Sequence, residues 1–180
     1  MGRNFSNTDY NLGKQMVIIT IMTELVLNAK DREVLRLIQQ DCRLTAREIA
    51  GHVDLPITTV FAKIKRFERT GLIKGYHAIL DARRLDSATT AFILASFAYR
   101  GTGEKPLSQR EVASQVARFA EVQEVHIIAG DWDILIKVKT RDVESVGKFV
   151  VEKLRLVNGI EKTLTCLVFE SKKESTEIPL

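Results

Sequence analysis

Between Asn28 and Thr70 the apolar residues fall into three short runs with helical spacing. In the first, Val34, Leu35 and Ile38 share a face. Asn28 precedes it as an N-cap, and Asp31, at the third helical position, offers a carboxylate to the free amides. In the second, Thr45 and Glu48 form a capping box, Leu44 and Ile49 supply a hydrophobic staple, and Ile49, Ala50 and Val53 face inward. A third run begins after only Asp54-Leu55-Pro56, and two short helices joined by so tight a turn are the signature of a helix-turn-helix. On that third helix Val60, Phe61, Ile64 and Phe67 form the expected core side. The helix should stop at Thr70-Gly71, with Leu72–Leu80 as a strand behind it.

From residue 91 the spacing reads strand, helix, strand, strand, helix, strand. The expected elements are a strand at Ala91–Tyr99, a helix at Ser108–Ala120 with Val112, Val116 and Phe119 inward, and strands at Val122–Ile128 and Asp133–Lys139. A helix over Arg141–Leu156 follows, with Val143, Val146, Val150 and Leu154 inward, then a turn at Asn158-Gly159 and a last strand at Ile160–Glu170. This βαββαβ order is ferredoxin-like, with two helices on one face of a single sheet. Phe92, Leu94, Leu167 and Phe169 are too many apolar residues for one covered face, so the other face should meet a partner sheet in a symmetric homodimer. The fold class is therefore α+β: a winged helix-turn-helix over residues 27–80, a linker over 81–90, and a ferredoxin-like domain over 91–173. Residues 174–180 form a tail. The first 26 residues read as an arm, an added strand, or sequence upstream of a later initiator at Met16 or Met22.

Charge locates the expected chemistry. Of the net +4, Leu27–Gly75 carries ten Lys/Arg against six Asp/Glu, whereas Asp86–Leu180 carries thirteen against fourteen. The positive surplus thus sits on the three-helix module, as expected of a surface that docks on phosphates. Opposite the apolar side of the third helix lie Thr58, Thr59, Ala62, Lys63, Arg66 and Arg69. Small polar residues at a helix N-terminus with cations further along suit a recognition helix in the major groove of double-stranded DNA. Cys42 and Cys166 have no metal-ligand spacing and fit a reducing, cytoplasmic setting, and Met16–Met22 is too short to span a bilayer. No paired carboxylates, nucleophile–base set, phosphate loop or metal pattern is present, which argues against an enzyme and against a cofactor. His77 and His126 read as a strand-surface and a packed histidine.

The stretch from Leu27 to Leu85 resembles the N-terminal half of the Lrp/AsnC regulators. The resemblance is carried by Asp31-Arg32 with Leu35, by Glu48-Ile49-Ala50, and by the run from Arg66 to Tyr76. Two positions depart from the family pattern: Asp54 stands where Gly is usual, and Pro56 where Ser or Thr is usual. The second half matches the same family's ligand-sensing domain in element order, and Gly130-Asp131-Trp132-Asp133 looks like its Gly-Asp-aromatic-Asp motif. The resemblance implies a promoter-binding transcription regulator, dimeric and assembling further, with a small effector, commonly an amino acid, bound between dimers around this loop. It brings Thr163 and Thr165 toward the same pocket. Physically, Gly130 lets amides approach a carboxylate and Asp133 can pair with an ammonium group, with Asp131 at the tip. Two other readings share the architecture: a sirohaem decarboxylase-like enzyme and an architectural DNA-binding protein of low specificity. Ile73-Lys74-Gly75-Tyr76 differs from the Arg-Arg-Ile-Gly toward which the tetrapyrrole enzymes tend.

Overall fold

The computed structural model describes residues 26–98 and 107–180. The chain divides into two units. One holds the described residues up to Ile79 together with Ser175–Leu180, and the other is Leu80–Glu174.

The first unit is built on α1 (Ala29–Gln40), α2 (Ala46–Val53) and α3 (Ile57–Arg69). Both early caps are reciprocal. Asn28 Oδ1 accepts from the Asp31 N–H at 2.8 Å while Asp31 Oδ2 accepts from the Asn28 N–H at 3.0 Å. Thr45 Oγ1 accepts from the Glu48 N–H at 3.3 Å and Glu48 Oε2 from the Thr45 N–H at 2.7 Å. Each pair satisfies two amides that the helix itself leaves free. Asp54 ends α2 in the left-handed region (φ 50°, ψ 56°), so the departure from Gly keeps the turn geometry and carries a conformational cost that Gly would not. Pro56 is the N-cap of α3, and it supplies no side-chain cap. Val34, Leu35, Ile38, Ile49, Ala50, Val53, Val60 and Phe67 form the core, with Leu44, Leu55, Ile64, Ile73 and Leu180 packed against it. The C-terminal residues are tied to α1: Arg36 Nη2 donates to Leu180 O at 2.9 Å, and the Gln39 side chain exchanges two hydrogen bonds with the Ile178 backbone.

Two expectations fail in this unit. Phe61 is solvent-exposed, because the buried stripe of α3 runs through Val60, Ile64 and Phe67 and leaves position 61 beyond its edge. Leu72–Leu80 forms no strand: a strand needs a neighbour for its amides and carbonyls, and none of the described residues pairs with it. Tyr76 instead donates from its hydroxyl to Glu68 Oε1 at 3.0 Å, while Ile79 and Leu80 are exposed.

The second unit opens with a 3-10 turn at Ala82–Leu85, capped by Asp81. It continues through β1 (Thr89–Phe97), α4 (Gln109–Val116), β2 (Val122–Ile127), β3 (Ile134–Thr140), α5 (Val143–Lys148) and β4 (Ile160–Leu167). The sheet is antiparallel throughout in the order β2-β3-β1-β4, the split arrangement that the βαββαβ order requires. Alternation along the central strands puts Ala91, Ile93, Ala95 and Phe97 with Ile134, Ile136 and Val138 against the helices. Val112 and Val116 of α4 and Val146 of α5 cover them, and Phe119 meets Phe149 edge-to-face at 5.7 Å. After Lys148 the helix widens into a π turn (Phe149–Lys153) and tightens into a 3-10 turn (Leu154–Leu156), keeping Phe149, Val150 and Leu154 inward. α4 stops at Val116 instead of running to Ala120, because Phe119 turns in toward that aromatic contact.

Three residues differ from their expected placement. Val143 is exposed, being the first helical residue, one turn before the stripe that meets the sheet. Leu167 pairs with Ala91 and so shares the helix-covered face, where it packs on the core. Phe169 lies beyond the end of β4 and is fully exposed. Tyr99, the expected end of β1, lies outside the described residues. The opposite face carries Phe92 and Leu94 on β1, Leu135 on β3, and Leu164 and Cys166 on β4, aligned by the pairs Phe92–Cys166, Leu94–Leu164 and Leu94–Leu135. His126, beside Leu135, is on this face too, exposed and 3.3 Å from Glu124 rather than packed.

Candidate nucleic-acid interface and ligand loop

The six positions expected to face outward on α3 divide into two groups. Thr58, Ala62 and Arg69 are exposed, and Thr59 is half-buried. Lys63 and Arg66 turn toward α1: Lys63 Nζ lies 2.6 Å from Asp31 Oδ1 and Arg66 Nη2 lies 2.9 Å from the same oxygen. The Asp31 carboxylate is only 1% exposed, Lys63 15% and Arg66 35%. The Arg66 guanidinium also lies over the Phe67 ring, 5.2 Å from its centroid. Burial by itself would raise the Asp31 carboxyl, but Lys63, the Asn28 backbone N–H and Arg66 outweigh it and hold the group below the ordinary carboxylate value. The two cations thus fix α3 to the first turn of α1.

The outward face of α3 is consequently rotated from the expected one and consists of Ile57, Thr58, Phe61, Ala62, Lys65 and Arg69. Sequence reasoning missed Phe61 because it counted the ring with the apolar stripe, and missed Lys65 because it drew the outward face through Lys63 and Arg66 instead. A usable signal was present: Asp31 precedes Val34, Leu35 and Ile38 at the spacing of their own stripe, so its carboxylate had to be buried and needed a cation.

In the second unit, Gly130 stands at φ +137°, a conformation that L side chains rarely adopt, and nothing lies near where a Cβ would project. Asp131 is exposed at the loop tip. Asp133 is built into the sheet. Its Oδ2 accepts from the Phe97 N–H at 2.8 Å, its N–H donates to Ala95 O at 3.1 Å, and its carbonyl accepts from the Ile128 N–H at 2.9 Å and from Gln109 Nε2 at 3.1 Å. Since Ala95 pairs with Thr163, Asp133 and Thr163 flank β1 at the same end of the sheet. Thr165 pairs with Ile93, two residues further along, and is exposed. The register therefore gathers Gly130, Asp131, Asp133 and Thr163 at one end, with Thr165 more distant.

Residues 27–74 match a family model described as winged helix-turn-helix DNA-binding, and residues 90–178 match the Lrp/AsnC ligand binding domain. An uncharacterized HTH-type transcriptional regulator from Pyrococcus horikoshii is 36% identical over 149 residues, which is 83% of this chain and 97% of the relative. The HTH-type transcriptional regulator FL11 from the same organism is 30% identical over 154 residues, covering 86% of this chain and 97% of FL11. Among solved structures, an AsnC family transcriptional regulator from Agrobacterium tumefaciens superposes with a TM-score of 0.77 at 26% identity, over 85% of this chain and 97% of that one. A transcriptional regulator from Neisseria meningitidis, solved as its L-Met complex, superposes with a TM-score of 0.78 at 23% identity, over 86% and 97% respectively. The two domains, their order and these relatives together show that the chain belongs to the Lrp/AsnC family of transcriptional regulators, with a helix-turn-helix DNA-binding module and a ligand-binding domain.

Proposed function

We propose that the chain is a sequence-specific, effector-responsive regulator that works as a dimer or an assembly of dimers. The observation that carries the reading is the exposed face of α3. It follows a left-handed turn at Asp54, presents Thr58 and Ala62 near its N-terminus and Lys65 and Arg69 beyond, and stands on a module with a surplus of positive charge. Thr58, Ala62 and Arg69 meet the duplex. Lys63 and Arg66 hold the helix at the angle that lets them do so, and Thr59 lies at the margin of the contact.

The effector is a small metabolite, most simply an amino acid. Amides around Gly130 suit its carboxylate, and the Asp131 and Asp133 carboxylates suit its ammonium group. Thr163 supplies a hydroxyl close by, and Thr165 reaches the outer margin. The L-Met bound by the Neisseria regulator supports this class of ligand. The bare sheet face around Phe92, Leu94 and Leu164 is the surface on which two copies pair, which matches a two-fold dimer to an inverted-repeat operator. Titration calorimetry of the twenty amino acids against the full-length protein, with and without bound duplex, tests the reading. At least one amino acid should bind, and its affinity should change on DNA by the factor by which it changes DNA affinity. Binding of none, or binding indifferent to DNA, would contradict it.

A further inference from the structure

Two large apolar side chains stand on the outward face of α3, one helical turn apart. Ile57 is 44% exposed and Phe61 55% exposed, and among the described residues neither packs against the core of the first unit. Lys65 Nζ lies 5.6 Å from the centroid of the Phe61 ring and pairs with Glu68 at 2.9 Å. Thr58, Ala62, Lys65 and Arg69 border the pair, all exposed. The patch therefore combines an apolar centre with a hydroxyl and two cations, and its apolar centre, Ile57 and Phe61, occupies the half of the helix that begins at its N-terminus. In a helix-turn-helix that half meets base edges. The cationic border matches a polyanion rather than an apolar protein surface. Along the major groove the one apolar feature of the base edges is the 5-methyl group of thymine, and apolar side chains, phenylalanine among them, are the groups that contact it.

We propose that Phe61, with Ile57 beside it, is a specificity-determining residue that packs on the 5-methyl group of a thymine in each half-site. This deepens the assignment of α3 as the reading helix and rests on it. Because the Phe61 ring is not part of the core, its truncation leaves the fold of the unit in place. What is lost is a contact made only on DNA.

The test uses the full-length chain and duplexes that the wild-type protein itself selects from a random-sequence pool. Each thymine of a selected duplex is replaced in turn by deoxyuridine, which removes only the 5-methyl group. Wild type should lose affinity by about fourfold at one position per half-site, the equilibrium worth of roughly one methylene kept from water. Phe61→Ala, with an unchanged melting transition, should bind the parent duplex more weakly and no longer distinguish thymine from deoxyuridine there. Phe61→Leu should keep part of the discrimination. Arg69→Ala should weaken binding while leaving the deoxyuridine profile as in wild type. A Phe61→Ala profile identical to that of wild type would overturn the proposal, as would a wild-type profile with no methyl-sensitive position. If the pool yields no enriched duplex, the reading of α3 as a DNA-binding helix falls and this inference with it. Enriched duplexes without methyl dependence remove Phe61 alone.

Discussion

Lys63 places its ammonium nitrogen 2.6 Å from Asp31 Oδ1, joining the third helix of the DNA-binding module to the first turn of the first helix. Asp31 serves twice, since its other oxygen caps the Asn28 N–H. A buried carboxylate that keeps its charge needs such partners, and its cations need it in return.

Asp31→Ala should therefore cost the first unit about 3 kcal/mol, the low end for breaking a buried pair, because Arg66 remains about one-third exposed. Asp31→Asn should cost less, since an amide can still accept from the Asn28 N–H. Thermal unfolding of the full-length variants, followed by circular dichroism, measures both. Equal losses would deny the capping role of the second oxygen, and a wild-type transition in Asp31→Asn would show that charge is not what ties α3 to α1.

The same carboxylate sets an acid limit. Its native pKa lies below the ordinary 3.8, so its contribution is complete above that value and is lost as pH falls through the lowered native one. Glu48, held low by the Thr45 backbone N–H, and Glu68, held low by Lys65, act in the same direction below their ordinary 4.5. Stability of the first unit should thus fall steeply as pH drops below about 4, and the slope should be shallower in Asp31→Asn. Unfolding curves at a series of acid pH values check this, and a slope unchanged by Asp31→Asn would contradict it.

Locally determined features were legible in the sequence. The box of Thr45 and Glu48 spans a single turn, so no tertiary information was needed to find it. The alternation of Ala91, Ile93 and Ala95 likewise marked the buried face of β1 without knowledge of its neighbours. The features misread depend on distant contacts. Whether Phe61 or Val143 is covered depends on where another element ends, and the spacing of apolar residues carries no such information. Leu72–Leu80 has the composition of a strand but lacks a pairing segment within the described chain. Lys63 and Arg66 looked like free cations because Asp31, their counter-ion, is more than thirty residues away in the sequence. At the loop between β2 and β3, Gly130 and Asp133 were readable as a motif. That the Asp133 carboxylate also holds the Phe97 amide was not, since that contact joins two strands.

That second role of Asp133 separates two substitutions. Asp133→Ala removes the carboxylate oxygen to which the Phe97 N–H donates and should destabilise the second unit by about 1–3 kcal/mol. Asp133→Asn can retain the acceptor and remove only the charge. It should keep the wild-type melting transition while losing amino-acid binding in calorimetry. Full retention of binding by Asp133→Asn would place the ammonium site elsewhere.

Gly159 closes the turn before β4 at φ +100°, and a Cβ there would stand 3.0 Å from Phe97 Cε2 and 3.1 Å from both Leu107 Cδ1 and Val112 Cγ2. Gly159→Ala combines this crowding with an unfavourable backbone and should cost about 2 kcal/mol. Gly130→Ala meets no neighbour and should cost less, since only the backbone term applies. Melting of the two variants side by side gives the comparison, and equal losses would deny the packing at Gly159.

If α3 reads DNA sequence on a two-fold protein, selection of duplexes from a random pool by the full-length chain should reveal it directly. The enriched duplexes should carry an inverted repeat whose half-sites lie about 34 Å apart, one turn of the double helix, or a multiple of that. Enrichment of the same repeat should be weaker in Arg69→Ala, a variant whose fold should be intact because the side chain is exposed. A pool that emerges without a motif, or the same motif enriched equally well by Arg69→Ala, would contradict it.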